Sequence, residues 1–379
     1  MKNTKIVHLT SVHPPFDTRI FEKECKVLVR AGYEVALVAP HTREEAVEGI
    51  RVRGVPRSKN RLARMTHTVW RVYRAAIEEG GTLYHFHDPE LIPVGILLKL
   101  SGKRVVYDVH EDFPRDILDR HWLPPWARRS AAKATEILEA LGARIFDGIV
   151  AATPVIAKRF PSAKTVTVQN FPIPGELVPP KPPPYTGRPS LAVYVGQISA
   201  GRGVREMVRA IALAAELLGI RLILAGTFST PALEEEVKRL PGWKYVDYIG
   251  WQSRKEIASL FARTRVGLVL LHPTPSHIAA QPTKLFEYMS AGLPVIASDF
   301  PLWREIIGGA GCGILVDPLD TSAIAEAIAW LTYHPQEAEA MGKCGQEAVR
   351  AKYSWATEAE KLYRLYYGVL PPGKRVADG

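Results

Sequence analysis

The sequence predicts an α/β protein built as two doubly wound parallel sheets. Three observations predict it. Short β-rich runs alternate with stretches of helical periodicity through the first part of the chain, a segment dense in proline interrupts them, and the alternation then restarts. Strands alternating with helices make a parallel sheet covered on both faces. Such sheets hold ligands beyond the carboxyl ends of their strands. The length, 379 residues, suits two domains of ordinary size.

The elements follow in order. Residues 5–11 form an apolar strand. Residues 18–30 carry Ile20, Cys25 and Leu28 at helical spacing and stop at Gly32. Residues 34–39 and 50–55 read as strands and 62–79 as a helix. Residues 83–87, 105–109 and 148–152 are further β-rich runs with helical stretches between them. Pro172, Pro174, Pro179, Pro180, Pro182, Pro183, Pro184 and Pro189 then exclude a helix or a central strand, and 171–189 reads as a stiff linker. Beyond it, strands are expected at 191–195, 221–225, 245–249, 266–271, 294–297 and 313–316. Helices are expected at 204–218, 231–239, 254–262, 283–290 and 322–332. A last helix, 356–370, puts Leu362, Leu365 and Tyr366 on one side. The expected partition is a first domain over 1–170 joined by the closing segment 356–379, and a second domain over 190–355.

Composition is that of a soluble globular chain, with 47% hydrophobic and 23% charged residues. Cys25, Cys312 and Cys344 are widely spaced and odd in number, neither a disulfide framework nor a zinc pattern, so a reducing compartment is expected. No apolar run approaches the roughly 18 residues of a spanning helix. The stretch Ile6 to Ser11 is too short and too polar for a signal-peptide core. The expected location is cytoplasmic. The net charge of +10, from 49 basic and 39 acidic residues, calls for an anionic partner: phosphates, an anionic membrane or nucleic acid. Between Glu48 and Glu78 there is no carboxylate, yet Arg51, Arg53, Arg57, Lys59, Arg61, Arg64, Arg71 and Arg74 fall there. A second stretch, from Arg120, His121, Trp122 and Leu123 through Pro124, Pro125 and Trp126 to Arg128 and Arg129, mixes aromatics with cations. Tryptophan favours a membrane interface and cations its headgroups; a solvated basic surface with packed tryptophans fits the same residues.

The most informative stretch runs from Gln281 to Asp299. Pro282 suits a first helical turn, Leu285, Phe286 and Met289 give one apolar face, Gly292 stops the helix, and Leu293 to Ala297 is a buried strand. A helix start near Thr283 offers free N–H groups and a positive dipole end, which suits a phosphate. Glu287 lies about one turn further in, at a reach that suits a sugar hydroxyl. This stretch resembles the nucleotide-sugar helix of retaining GT-B fold glycosyltransferases of the fourth sequence family. The family's helix carries two glutamates with seven residues between them, the second on the ribose of the nucleotide sugar. Glu287 matches the second; Ala279 stands at the place of the first.

The resemblance implies two Rossmann-like domains facing a cleft, with 356–370 as the helix that crosses back to the first. It implies a nucleoside diphosphate sugar donor, retained anomeric configuration and no cofactor beyond that co-substrate. No Asp-x-Asp occurs with metal spacing, so no metal is expected. The glycine-rich turn from Val195 to Val204 follows a strand and opens a helix, where Gly196 and Gly203 let backbone N–H groups approach a phosphate. In the family this turn carries two cations; here Gln197 replaces the first and Arg202 takes the role of the second, with Lys284 at the facing helix start as a candidate substitute. Arg202, Lys284 and the N–H groups near Thr283 and Leu285 would stabilise the charge that develops on the leaving diphosphate. Ile249 and Trp251 match the family's turn beside the nucleobase, and Gly226 ends its strand where a ligand comes close.

In the first domain, His110 follows a strand, as does a family histidine beside the donor sugar or acceptor, and it is the candidate to orient or deprotonate an acceptor hydroxyl. His85, His87, Asp88 and Glu90 look like a subfamily His-x-His-Asp-Pro-Glu run. Two histidines two apart on a strand share a face and mimic a metal pair, but no third ligand is in reach by sequence, which leaves His87 and Asp88 a structural or acceptor-side role. His13, Asp17 and Arg19 lie in the loop before the first helix. Asp17 or Thr18 can cap that helix, or the loop can serve the acceptor, as the family resemblance of Asp17 and Arg19 implies. The expected partners are a nucleoside diphosphate sugar, a glycan or lipid-linked acceptor and an anionic membrane surface, with no nucleic acid. Three alternatives stay open: a nucleotide-sugar epimerase of the same fold, an inactive nucleotide binder, and a basic nucleic-acid-binding protein.

Overall fold

A computed structural model describes residues 4–58, 60, 63–118 and 124–372. Contacts divide the chain into two compact units, Met1–Asn170 with Ala356–Gly379, and Phe171–Trp355.

The first unit is organised on a sheet of β1 (Lys5–Leu9), β2 (Glu34–Pro40), β3 (Glu45–Val47), β4 (Ile50–Val55), β5 (Leu83–Phe86), β6 (Arg104–Val109), β7 (Gly148–Ala151) and β8 (Thr165–Thr167). Among the described residues their order is β3-β4-β2-β1-β5-β6-β7-β8, and only the β3–β4 edge is antiparallel. β1, β5 and β6 are buried almost throughout, as strands covered on both faces must be. The helix expected at 18–30 is a widened turn, Ile20–Cys25, leading into the regular helix Lys26–Arg30. Asp17 Oδ1 starts it, accepting from the backbone N–H groups of Arg19 (2.8 Å) and Ile20 (3.0 Å). The closing helix Trp355–Val369 packs on this unit: Tyr363 Oη donates to Val27 O (2.8 Å), and Glu358 accepts from Gln169 N–H (2.8 Å).

The arginine-rich run is less free than its composition implies. Arg51 and Arg53 reach Glu44 and Glu79, Arg53 also pairs with Glu78, and Arg64 forks onto Glu90 at 2.8 and 3.1 Å. Arg57, Arg71 and Arg74 stay exposed, beside the exposed Met65 and Trp70. Lys59, Arg61, Leu62, Arg120, His121, Trp122 and Leu123 lie outside the described residues.

The second unit carries β9 (Leu191–Val195), β10 (Arg221–Ala225), β11 (Val246–Gly250), β12 (Val266–Val269), β13 (Val295–Ser298) and β14 (Gly313–Val316), in the order β11-β10-β9-β12-β13-β14 and parallel throughout. The helices Val204–Leu218 and Thr283–Ser290 lie where periodicity puts them. The proline-rich stretch packs into this unit: Phe171, Leu177 and Tyr185 are buried, and Tyr185 Oη donates to Arg265 O (2.7 Å). A helix absent from the periodicity, Pro335–Ala351, lies against Thr283–Ser290. Among the described residues no helix is long and apolar enough to cross a membrane.

Candidate active site

In the second unit the site grows from the ends of β9 and β10. Gly196 takes φ +122° and Gly226 φ +146°, conformations L side chains rarely adopt. A Cβ on Gly226 would lie 1.9 Å from Gly196 O, so the two strand ends touch through bare backbone. Gly203, at φ +73°, sets the turn against Leu270, whose carbonyl would be 2.3 Å from a Cβ. Between these glycines Arg202 Nη1 lies 3.4 Å from Gln197 O. The Gln197 side chain is exposed, and the residue works through its carbonyl, which also accepts from Tyr194 Oη (2.7 Å).

The start of the helix Thr283–Ser290 meets this turn. Lys284 Nζ donates to Tyr194 Oη (2.7 Å), sits 4.1 Å from the centre of that ring, and reaches to 3.3 Å from where a Gly196 Cβ would be. Burial, then the neighbouring Arg202, push the Lys284 ammonium well below its ordinary value of 10.5, against the pull of Glu287. Burial pushes the Tyr194 phenol up to about 12. Leu285 is buried and its N–H turns back to Pro282 O (3.0 Å), which leaves the N–H groups of Thr283 and Lys284 as the open donors of the first turn. One turn on, Glu287 accepts from Arg254 Nη1 (2.5 Å), and Arg254 forks onto Glu176 at 2.9 and 2.8 Å. Burial opposes the charge on Arg254, but Glu176 and Glu287 outweigh it and hold the guanidinium above its ordinary range. Ile249 and Trp251 are 41% and 74% exposed, so Trp251 is open for stacking rather than packed. Its neighbour Gly250 accepts from Gly226 N–H (2.7 Å).

Arg254 and Glu176 are not distinguishable as site residues in the sequence, because each reaches the site by folding from a distant segment; Tyr194 directly precedes the glycine turn, but only the fold sets it against Lys284. His277 is another: its Cε1 lies 3.3 Å from where a Gly201 Cβ would be, two residues before Ala279.

In the first unit, the carboxyl ends of β1, β5 and β6 gather the remaining candidates. Asp88 Oδ2 accepts from Thr10 Oγ1 (2.8 Å), Ser11 N–H (2.6 Å) and Ser11 Oγ (3.1 Å). His13 lies between Asp88 (3.5 Å) and Asp17 (3.4 Å). Burial works against the charged His13 ring, but its contact with Asp17 outweighs this and raises it above 6.5. The same pairing holds the Asp17 carboxyl below its ordinary range despite burial. Arg19 is buried and committed: it grips Asp108 through Nε (3.1 Å) and Nη2 (3.0 Å) and donates from Nη1 to Val168 O (2.9 Å). Its guanidinium is thus engaged within the first unit rather than presented to solvent. His110, partly exposed, has Nε2 3.1 Å from Asp108 Oδ2 and 3.1 Å from His87 Nδ1. Burial opposes the Asp108 charge, but Arg19 and His110 hold that carboxyl well below its ordinary range. Burial pulls His87 down to about 4, against the pull of Asp108. The structure also supplies what the spacing of His85 and His87 lacked: one donor atom each from His8, Glu24, His85 and His87 gather within 4.8 Å of one another.

Residues 181–348 match the family model described as "Glycosyl transferases group 1", and residues 19–170 match the one described as "Glycosyltransferase Family 4". The chain belongs to the group 1 glycosyltransferases, and its fold is the GT-B fold. It is 36% identical over 92 residues to a phosphatidyl-myo-inositol mannosyltransferase of Mycobacterium leprae, covering 24% of either chain. It is 27% identical over 255 residues to an alpha-maltose-1-phosphate synthase of Mycolicibacterium smegmatis, covering 64% of this chain and 65% of that one. The matched stretches thus span less than two thirds of these relatives. The crystal structure of Anabaena Alr3699/HepE in complex with UDP-glucose superposes with a TM-score of 0.72 at 15% identity, covering 96% of this chain and 99% of that one.

Proposed function

We propose that the protein is a retaining glycosyltransferase that moves a sugar from a nucleoside diphosphate donor to a glycan or lipid-linked acceptor. The observation that carries this is the meeting of the glycine turn 196–203 with the start of the helix Thr283–Ser290. Bare backbone, two open N–H groups, Lys284 and Arg202 converge there, and Glu287 stands one turn further on. A diphosphate fits the first group and a ribose the last. As the bond to the sugar breaks, charge grows on the diphosphate, and Arg202, Lys284 and the helix start stabilise it. With these cations at hand to neutralise the diphosphate, transfer is expected to need no metal at this site.

The acceptor side belongs to the first unit. His110 is the group to orient and deprotonate the acceptor hydroxyl, held by Asp108, with His13, Asp17, His87 and Asp88 around it. Exposed Trp70 and Met65 beside Arg71 and Arg74, and exposed Trp126 beside Arg129, would suit an anionic bilayer, which supports a reading of the enzyme at the cytoplasmic membrane face, in cell-surface polysaccharide or glycolipid synthesis. The mannosyltransferase and UDP-glucose likenesses support a nucleotide sugar as donor.

The test is a thermal-shift panel of UDP, GDP, ADP and their common sugars, repeated with Glu287→Ala. A ligand that binds only the folded chain raises its melting temperature by mass action. One nucleotide family is expected to stabilise the wild type and to lose most of its effect in the variant. No shift by any nucleotide at saturation sinks the reading.

A further inference from the structure

Below the acceptor-side loops, the first unit holds a buried cluster that shares His87 with the acceptor side and otherwise lies outside the transfer machinery proposed above. β1 and β5 are adjacent parallel strands, and His8 stands in register with His85. His87 follows two residues later on the same side as His85. The widened turn Ile20–Cys25 lays Glu24 across them. All four side chains are buried, none more than 2% exposed. Glu24 Oε2 is nearly equidistant from three ring nitrogens: 3.9 Å from His8 Nδ1, 3.9 Å from His85 Nδ1 and 4.0 Å from His87 Nε2.

Hydrogen bonds alone leave this cluster unsatisfied. Neither oxygen of Glu24 accepts one, although Oε1 lies 3.0 Å from the charged Arg19 Nε. The ring nitrogens that face Glu24 are Nδ1 of His8, Nδ1 of His85 and Nε2 of His87, and these contact one another and Tyr366 rather than the carboxylate. The single cation Arg19 faces two carboxylates, Glu24 and Asp108, and its fork is on Asp108. A buried carboxylate without full compensation is costly, and buried polar groups are normally satisfied. A buried carboxylate without a hydrogen-bond partner and three ring nitrogens that converge on it are an arrangement that a metal cation completes.

We propose that His8, Glu24, His85 and His87 form a buried, structural site for one divalent transition-metal cation. Three imidazoles and one carboxylate favour zinc over the oxygen-seeking magnesium and calcium. Zinc bonds of about 2.0–2.2 Å place tetrahedral donors roughly 3.4 Å apart, so the three rings close on Glu24 by about half an ångström. His8 and His87 separate from their present 2.9 Å, and His85 Nδ1 exchanges its contact with Tyr366 Oη (2.5 Å) for the metal. The outer shell is in place: His87 turns Nδ1 to Asp108 Oδ2 at 3.3 Å, and Arg19 fixes Asp108. Carboxylate–histidine–metal relays of this kind set the ring tautomer and strengthen the ligand. Bound there, the ion ties β1 and β5 to the first helix directly beneath His13, Asp17 and Asp88. The cluster is distinct from the nucleotide site and does not depend on it.

The test is elemental analysis of the full chain, purified without a polyhistidine tag, before and after dialysis against zinc. The wild type is expected to hold about one zinc per chain. Stripping with a chelator is expected to lower its melting temperature, and returned zinc to restore it. Glu24→Gln and His85→Gln are expected to hold almost none, whereas His41→Gln retains the full complement. Should both ligand variants fail to fold, the strip-and-restore measurement on the wild type decides. A wild type that takes up no zinc and melts unchanged overturns the site, leaving a metal-free hydrogen-bonded cluster. Equal zinc in wild type and folded ligand variants overturns it as well, because the ion then sits elsewhere.

Discussion

The two units treat their candidate residues in opposite ways. In the first, Asp88, Asp108, His87 and Arg19 are buried and held by one another, so the conspicuous motif residues form a preset framework on which only His13, Asp17 and His110 reach solvent. In the second, Lys284 and Leu285 are buried, but other candidates are open: Trp251 stands out from the surface, Thr283 is exposed, and the glycine turn offers backbone. On the proposed reading, the dense run of histidines and carboxylates serves largely as scaffold, while the sparse run of glycines meets the ligand. Substitutions should accordingly damage stability in the first unit and ligand affinity in the second.

The strongest way to break that contrast is Asp108→Ala. It strips Arg19 of its forked partner and leaves the buried guanidinium with Glu24 alone beside it, which costs up to about 3–5 kcal/mol of folding free energy; chemical denaturation reads this directly. A loss under 1 kcal/mol would show that the first-unit network is not a framework. Next comes Lys284→Ala, expected to lower turnover about 10²–10³-fold with little change in unfolding midpoint, measured once a donor is identified. Lys284 also predicts a pH effect. Its ammonium is depressed in the free protein, and a bound diphosphate restores it toward 10.5. Binding then takes up a proton, and affinity falls as pH rises between the two values. Calorimetry in buffers of different ionisation enthalpy detects the uptake, and a buffer-independent heat refutes it. The folding term has the matching sign: the depressed lysine costs stability at neutral pH, and the cost fades as pH rises toward 10.5.

Trp251→Ala is expected to weaken nucleotide binding by about 1 kcal/mol and to leave the melting temperature alone, because the ring is exposed. The smallest effect belongs to the His13–Asp17 pair. Its half-exposed geometry is worth roughly 0.2–1 kcal/mol. The His13 part is fully present below pH 6.5 and is lost as pH rises through the raised value; the Asp17 part is present above 3.8 and is lost as pH falls through the lowered one. His13→Asn should flatten the pH dependence of stability on the alkaline side, and an unchanged profile removes the pair from the account.

Legibility in the sequence follows the range of the forces involved. Leu191–Val195, Val204–Leu218 and Thr283–Ser290 are set by local periodicity and by glycines at their ends, and they lie where that pattern puts them. Pro335–Ala351 does not stand out, because Gly342 and Gly345 read as breakers. In the fold they are needed for close packing: a Cβ on Gly342 would lie 2.2 Å from Gly292 O. The same limit applies to the sites. Glu287 is legible from its own helix, but its partner Arg254 arrives from another one. His8 reads as an odd polar residue in an apolar strand, and only the pairing of β1 with β5 sets it beside His85. Arg51, Arg53 and Arg64 look like a basic face because the carboxylates that neutralise them, apart from the flanking Glu78 and Glu79, lie outside the run.

The closing helix has a consequence for how the chain is made. Tyr366 and Tyr363 complete the first unit, yet the ribosome delivers them only after the whole of Phe171–Trp355. At roughly 5–20 residues per second, the earlier-made portion waits on the order of ten to forty seconds for its last piece. During that interval the second unit can finish folding while the first still has a vacant slot beside His85. The nascent chain therefore matures in reverse order, and a chaperone that shields that slot would act on the portion that was synthesised first.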